Sequence, residues 1–518
     1  MARKQGNTRL FRLNNLTGGM NTISELNAYS GLDPNANLGA AFTQIQCEMI
    51  NQENWFPSSR GGLSKEYGFT LHHNAGAGLI TGLWRFIQSD GDSYFLYTQG
   101  NTLYSLSGGV ATSQYTSLAN NAYVDFTNAT DLCVLCDGTN APVKFDGASV
   151  SSLGGSPPSG AKQSVFYKNR LWVFSATSNQ SLLYYSDANN IEAGYASNFV
   201  QCDVNDGQKI TGIAEFYIPG QLEPVILVTK ERSVGIVTGD GTGSNPFTFQ
   251  KVLFNNGNPA FRAIIQYRQD IAFLTNSGIS SYLTAMKDIN LAYSSLTEKI
   301  RNQFSSLNTT NIVNSLAWIE EENNRIGFAI PQGNSTYPNQ IWYYDYELRS
   351  WYKKKGFNIT AVLVDTDGTV YHGDDTGKIY VHNTSEYAYA DSAIVATCQT
   401  PYFDFFDPKY YKRIKEATVT ARGNGAYSFS IGSRINYGKG KAGSTSTISL
   451  TSGSYTWGGG VWTSDAGVYQ WGGAPLLTKK FYPKEIFRNI SLLFTNSGAD
   501  QPVDIVDVTL EVEYLNLT

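Results

Sequence analysis

Cys133 and Cys136 stand in the C-x-x-C spacing that serves zinc binding and thiol–disulfide exchange. Either chemistry needs both sulfurs on one side of the chain. Here the pair lies within Asp131-Leu-Cys-Val-Leu-Cys-Asp137, which reads as a strand, and residues three apart on a strand face opposite ways. Cys47, Cys202 and Cys398 are scattered, so all five cysteines are expected to be buried free thiols. His72, His73, His372 and His382 form no His-x-x-x-His pair. Asp365-Thr-Asp-Gly-Thr369 and Asp374-Asp375-Thr-Gly377 resemble pieces of calcium loops without the closing glutamate. Asp-Gly pairs of this kind serve hairpin turns.

Nucleophilic and phosphate chemistry leave no signature either. The sequence has no Gly-x-Ser-x-Gly elbow and no Gly-x-x-x-x-Gly-Lys-Ser/Thr loop. Tyr437-Gly-Lys-Gly-Lys-Ala-Gly443 lacks a strand-to-helix setting and reads as a loop. Ser464-Asp465-Ala-Gly467-Val-Tyr-Gln-Trp471 approaches the Asp box of sialidase-type propellers, but its Asp is one position early and it occurs once. Glu320, Glu321 and Glu322 supply carboxylates, yet a glycosidase pair is defined by separation in space. No catalytic, cofactor-binding or metal residue is assigned, no cofactor is expected, and the chain is not expected to be an enzyme.

Two patches could bind a partner. Arg3, Lys4, Arg9 and Arg12 make a basic N-terminal arm, which suits phosphate or an acidic partner, or else frays in solvent. Trp457, Trp462 and Trp471 sit among glycines, as exposed anchors or as core tryptophans.

The elements that position these residues are strands. Of 518 residues only 16% are charged, the net charge is −5, and aromatics reach 13%, which excludes a disordered chain or a coiled coil. Apolar runs such as Val225-Ile226-Leu227-Val228 fall far short of the ~18–20 residues that span a bilayer, so no membrane-spanning segment is expected. The basic N-terminus has no apolar h-region, pointing to synthesis in the cytoplasm without a secretory signal. A short β-rich run, a polar turn and a second β-rich run recur along the chain. Examples are Tyr94-Phe-Leu-Tyr97 before Leu103-Tyr-Ser-Leu106, and Leu171-Trp-Val-Phe174 before Leu182-Leu-Tyr-Tyr185. Turns near residues 99, 137, 177, 230, 276, 332 and 367 recur at the interval of about 40–50 residues that marks a β-propeller. Joining the hairpins near 332 and 367 into one blade gives six blades. Longer alternating strands follow, such as Tyr427-Ser-Phe-Ser-Ile431 and Ile505 to Tyr514. The expected fold class is all-β: a loop-rich N-terminal arm over 1–70, a β-propeller over 71–392 and a C-terminal β-sandwich over 393–518.

Several segments, in order, resemble one family. They are Leu16-Thr-Gly-Gly-Met-Asn21, Asn54-Trp-Phe-Pro57 with Arg60-Gly-Gly-Leu-Ser-Lys-Glu-Tyr-Gly68, and Tyr167-Lys-Asn-Arg-Leu-Trp-Val-Phe174 leading to Tyr184-Tyr-Ser-Asp187. Val204-Asn-Asp-Gly-Gln-Lys-Ile-Thr-Gly-Ile213 and Thr400-Pro-Tyr-Phe-Asp-Phe-Phe-Asp-Pro-Lys-Tyr-Tyr-Lys-Arg-Ile414 complete the series. Together they look like the β-propeller tail hub or nozzle proteins of short-tailed bacteriophages (the tail tubular protein B and packaged-DNA stabilisation group). The resemblance implies a structural virion protein of the tail, assembled in the host cytoplasm. Its partners would be five further copies in a hexameric ring, the portal and head-to-tail adaptor, and tail fibres or spikes. Double-stranded DNA would pass through the ring without sequence-specific binding. The competing reading is a carbohydrate-binding or glycoside-cleaving propeller used in host recognition.

Overall fold

The computed structural model describes residues 8–13, 15–22, 32–33, 47–58, 61–218, 223–243, 246–254, 257–283, 295–422, 427–438, 443–450 and 476–515. The chain divides into two compact units. One comprises Thr70–Tyr343 with Phe357–His382; the other comprises Met1–Phe69 with Tyr344–Gly356 and Asn383–Thr518.

The first unit is a β-propeller. Its sheets are antiparallel and begin in turn with Ile80–Ile87, Asp125–Ala129, Ala161–Tyr167, Ile210–Phe216, Ile264–Tyr267, Leu316–Glu320 and Ala361–Val364. These first strands are neighbours all the way round, the last lying beside the first, so the sheets close a ring. Five sheets consist of strands consecutive in sequence, and the sixth begins with the consecutive strands Leu316–Glu320, Arg325–Ile330 and Gln340–Asp345. The seventh is composite: Ala361–Val364, Val370–Gly373 and Lys378–Asn383 take Gly68–Asn74 as their outer strand. The hairpins near 332 and 367, expected to share a blade, belong to the sixth and seventh sheets. Their short spacing arises because the turn near 332 joins the second and third strands of its sheet, Arg325–Ile330 and Gln340–Asp345, whereas the turn near 367 joins the first and second strands of the next, Ala361–Val364 and Val370–Gly373.

Ring packing explains why the middle strands are unbroken apolar runs. A sheet between two others is buried on both faces, so alternation disappears. In Leu132–Cys136, Cys133 and Leu135 join the core shared with Phe86 and Leu96 of the first sheet. Val134 and Cys136 join the core shared with Leu171 and Val173 of the third. In Val225–Lys230, Ile226 and Val228 pack with Trp172 and Phe174, while Val225 and Leu227 pack with Ile271 and Phe273. Each such side chain contributes about 1.5–3 kcal/mol on burial. The acidic segments are turns. Asp374 Oδ1 accepts the N–H groups of Thr376 and Lys378, and the turn at Asp365 closes on Thr369 O.

In the second unit, Thr8–Leu13 pairs with Asp504–Leu515, which pairs with Tyr411–Arg422, which pairs with Leu476–Phe481. A further series runs from Asn51–Glu53 through Ala396–Gln399 and Ile490–Asn496 to Ser428–Ile435 and Thr445–Ser449. Both series feed one apolar core, with Phe11, Val419 and Leu510 from the first and Cys398, Ile431 and Phe494 from the second. The described N-terminal residues are therefore built into this core. Among the described residues no helix is long and apolar enough to cross a membrane.

Candidate functional site

Of the basic arm, Arg9 and Arg12 fall among the described residues; Arg3 and Lys4 lie outside them, as do Trp457, Trp462 and Trp471. Arg12 and Arg9 occupy a strand inside a sheet, and each has a partner. Arg12 Nη2 meets Asp507 Oδ2 at 2.6 Å across the strand pair, and the Arg9 guanidinium lies 5.0 Å from the Tyr514 ring centroid. On the next strand, Arg413 meets Glu513 at 2.5 Å, with Lys415 Nζ 3.7 Å from the same carboxylate. Arg12, Arg413 and Lys415 are thus matched by carboxylates and carry little excess potential for phosphate, whereas Arg9, three residues from Arg12 on the strand, faces the other way and meets a ring.

The segments that resemble the tail family form structural joints. Gly18 and Gly19 sit where backbones meet: a Cβ at Gly18 would lie 2.6 Å from Cys47 O, and Gly19 adopts φ +67. Hydrogen bonds from Gly18 N to Cys47 O and from Met20 N to Trp351 O tie this turn into the second unit. In the third propeller sheet, Trp172 is fully buried and pairs with Tyr185 across the strands at 4.6 Å between ring centroids. Its indole N–H donates to Tyr167 O at 3.1 Å. Leu171 N donates to Ser186 Oγ and Arg170 Nη1 to Ser186 O. The turn Val204–Asp206 wraps the buried Lys230 ammonium, which donates to Cys202 O, Asp203 O and Asp206 Oδ1. In the last segment, Thr400 Oγ1 accepts Leu492 N–H, and the buried Lys412 donates to the carbonyls of Asp407, Tyr410 and Arg488.

A cluster of charges at the propeller axis escaped the sequence reading. Asp125 begins the second sheet and accepts Ser164 N–H at 2.9 Å. Lys162 of the third sheet donates to Tyr123 O at 3.2 Å, and the Arg262 guanidinium lies 3.8 Å from the Tyr123 ring centroid. Burial pushes Asp125 up to about 7 against the pull of Ser164 N–H, Lys162 and Arg262. Burial and then Arg262 bring Lys162 down to about 8, opposed by Asp125, Asp137 and Cys136. Burial raises Tyr123, with Arg262 acting against it and Tyr337 and Asp375 acting with it. Nothing in Asn258-Pro-Ala-Phe-Arg262 marks it out in sequence; the available signal was a charged residue leading into an otherwise apolar first strand.

The sign of the Asp125 shift sets a pH dependence. Its pKa is raised on folding, so the folded state holds a proton that the unfolded chain has lost, and stability falls as pH rises from about 4 to about 7. Asp125→Asn keeps an acceptor for Ser164 N–H and removes the titration. Urea midpoints of the variant, relative to the parent chain, are expected to rise between pH 5 and pH 7.5. A difference that does not change with pH would contradict the assignment.

The thiols are sequestered. Cys133 and Cys136 lie in different cores on opposite faces of their sheet. All five cysteines are buried, and burial pushes Cys47 and Cys202 up to about 12 and raises Cys133, Cys136 and Cys398 as well. A disulfide reagent at pH 8 is expected to modify none of the five in the folded chain and all of them in urea. His372 Nδ1 and His382 Nε2 are 2.9 Å apart. Among the described residues no group of three or more His, Cys, Asp or Glu is placed to hold a metal.

The closed ring of antiparallel sheets defines a β-propeller protein. No protein-family model matches the chain, and no curated protein does. Among solved structures, the extracellular domain of a putative one-component system from B. thetaiotaomicron aligns at 12% identity and TM-score 0.42, over 63% of this chain and 41% of that one. The extracellular domain of a putative hybrid two-component system from the same organism aligns at 11% identity and TM-score 0.43, over 79% of this chain and 57% of that one. The WD40 β-propeller domain of Doa1 aligns at 8% identity and TM-score 0.39, over 61% and 97%. The chain thus spans about two-fifths of the first of these proteins and just over half of the second.

Proposed function

We propose that this chain is a structural subunit of a short-tailed phage tail, a hub or nozzle that forms a hexameric ring around the DNA exit channel. There it would help to retain packaged DNA, bind the portal and adaptor, and carry fibres or spikes. The observation that carries the reading is the ordered series of family-like segments, four of which act as joints. The Gly18-Gly19 turn, the Trp172–Tyr185 pair, the Asp206 turn around Lys230 and the carbonyl cage around Lys412 all hold backbone in place. Residues kept for architecture suit a virion part. The carboxylates that match Arg12 and Arg413 and the net charge of −5 also favour a surface past which a duplex slides. Native mass spectrometry of the purified chain with portal and adaptor, beside a glycan array probed with the chain alone, tests the reading. Six copies per complex and no glycan signal are expected. A chain that never joins the complex and binds a defined glycan would overturn the hub in favour of receptor recognition.

A further inference from the structure

A side chain on one sheet of a ring normally meets only the flanking sheets; it reaches beyond them only near the centre. Arg262 lies just before the first strand of the fifth sheet, Ile264–Tyr267. Its Nη2 donates to Asn314 O, ahead of the sixth sheet, at 3.0 Å. Its Nη1 donates to Thr360 O, ahead of the seventh, at 2.7 Å. The guanidinium carbon lies 3.8 Å from the ring centroid of Tyr123, ahead of the second. Lys162 of the third sheet joins the same crossing, with its ammonium 4.5 Å from the Phe261 ring centroid.

Around this crossing the first strands are linked in a circuit. Thr360 Oγ1 donates to Ile80 O, tying the seventh sheet to the first. Val124 N donates to Thr81 O, tying the second to the first, and Ser164 N to Asp125, tying the third to the second. Gln163 accepts Ile213 N–H of the fourth sheet and donates to Phe261 O ahead of the fifth. Ala317 N donates to Arg262 O and completes the passage to the sixth.

We propose that Arg262 is a latch that closes the propeller axis at this end and couples the fifth sheet to the second, sixth and seventh, so that the ring resists opening at any one seam. Neighbouring sheets otherwise hold each other mainly through apolar cores, which act pair by pair. A planar guanidinium supplies two directed donors and a face for Tyr123 at once; a lysine at the same place offers the charge without the fork. The inference is independent of the tail-hub reading, since it concerns the propeller unit alone.

Hydrogen exchange of the full chain with Arg262→Lys, read peptide by peptide by mass spectrometry, tests it. Peptides spanning 123–127, 314–319 and 360–364 are expected to exchange together, about tenfold faster than in the parent chain, as loss of one charge-assisted bond implies. Peptides from Thr102–Ser107 and Ser233–Thr238 are expected to stay unchanged. Acceleration confined to 257–267, uniform acceleration along the chain, or no change would overturn the latch. Should Arg262→Lys fail to fold, Tyr123→Leu removes only the stacking face and is read against the same three peptides.

Discussion

Lys412→Met is expected to cost the second unit about 3 kcal/mol, enough to lower its urea midpoint well outside measurement error. Lys412 is fully buried on Tyr411–Arg422, and its ammonium is held by three carbonyls, those of Asp407, Tyr410 and Arg488. Burial lowers its pKa, with Asp404 and Asp407 opposing the shift. Methionine keeps the length of the side chain and loses all three donors. A hydrogen bond to a charged group is worth about 1.5–3 kcal/mol, and three of them do not add in full, because the variant also relieves the desolvation of the charge. The net figure follows from the carbonyls left facing a thioether. Denaturation followed by a probe in this unit measures it, and a change below about 1 kcal/mol would show that the cage is filled by water at little cost.

The second large effect is expected at Trp172. Trp172→Ala should destabilise the propeller unit by about 3–5 kcal/mol, the range for removing a fully buried indole. Three losses combine there: contact with Tyr185 at 4.6 Å and with Phe247 at 4.7 Å, the hydrogen bond to Tyr167 O, and the filling of the core between the third and fourth sheets. Trp172→Phe separates them, keeping most of the ring contact and forfeiting the N–H, for about 1 kcal/mol. Equal losses in the two variants would mean that the hydrogen bond, and not the packing, holds the joint.

These two residues show what can be read from a sequence of this kind and what cannot. Trp172 was legible because a continuous apolar run bounded by turns implies a strand buried on both faces, and Leu171-Trp-Val-Phe174 splits its side chains between two cores. The propeller was legible for the same reason: local turns and apolar runs set its period. Lys412 was not legible in its role, since lysine is ordinarily a surface residue and its three acceptors come from the loop just before its strand and from a bend at Arg488 far along the chain. The seventh sheet was hidden because the turn near 332 is the second of its sheet and the turn near 367 the first of the next, so the two hairpins lie close enough to pass for one blade. Thr8–Leu13 forms a strand whose partner Asp504–Leu515 lies at the other end of the chain, so Arg12 could not be matched with Asp507 in advance. Arg262 is the extreme case, its meaning residing in four sheets at once.

Cryo-electron microscopy of the purified particle that contains this chain tests the central claim most directly. The account predicts six copies around the tail axis, each with its propeller beside a passage wide enough for duplex DNA. Copies at the distal ends of fibres, away from the axis and holding a glycan, would contradict it.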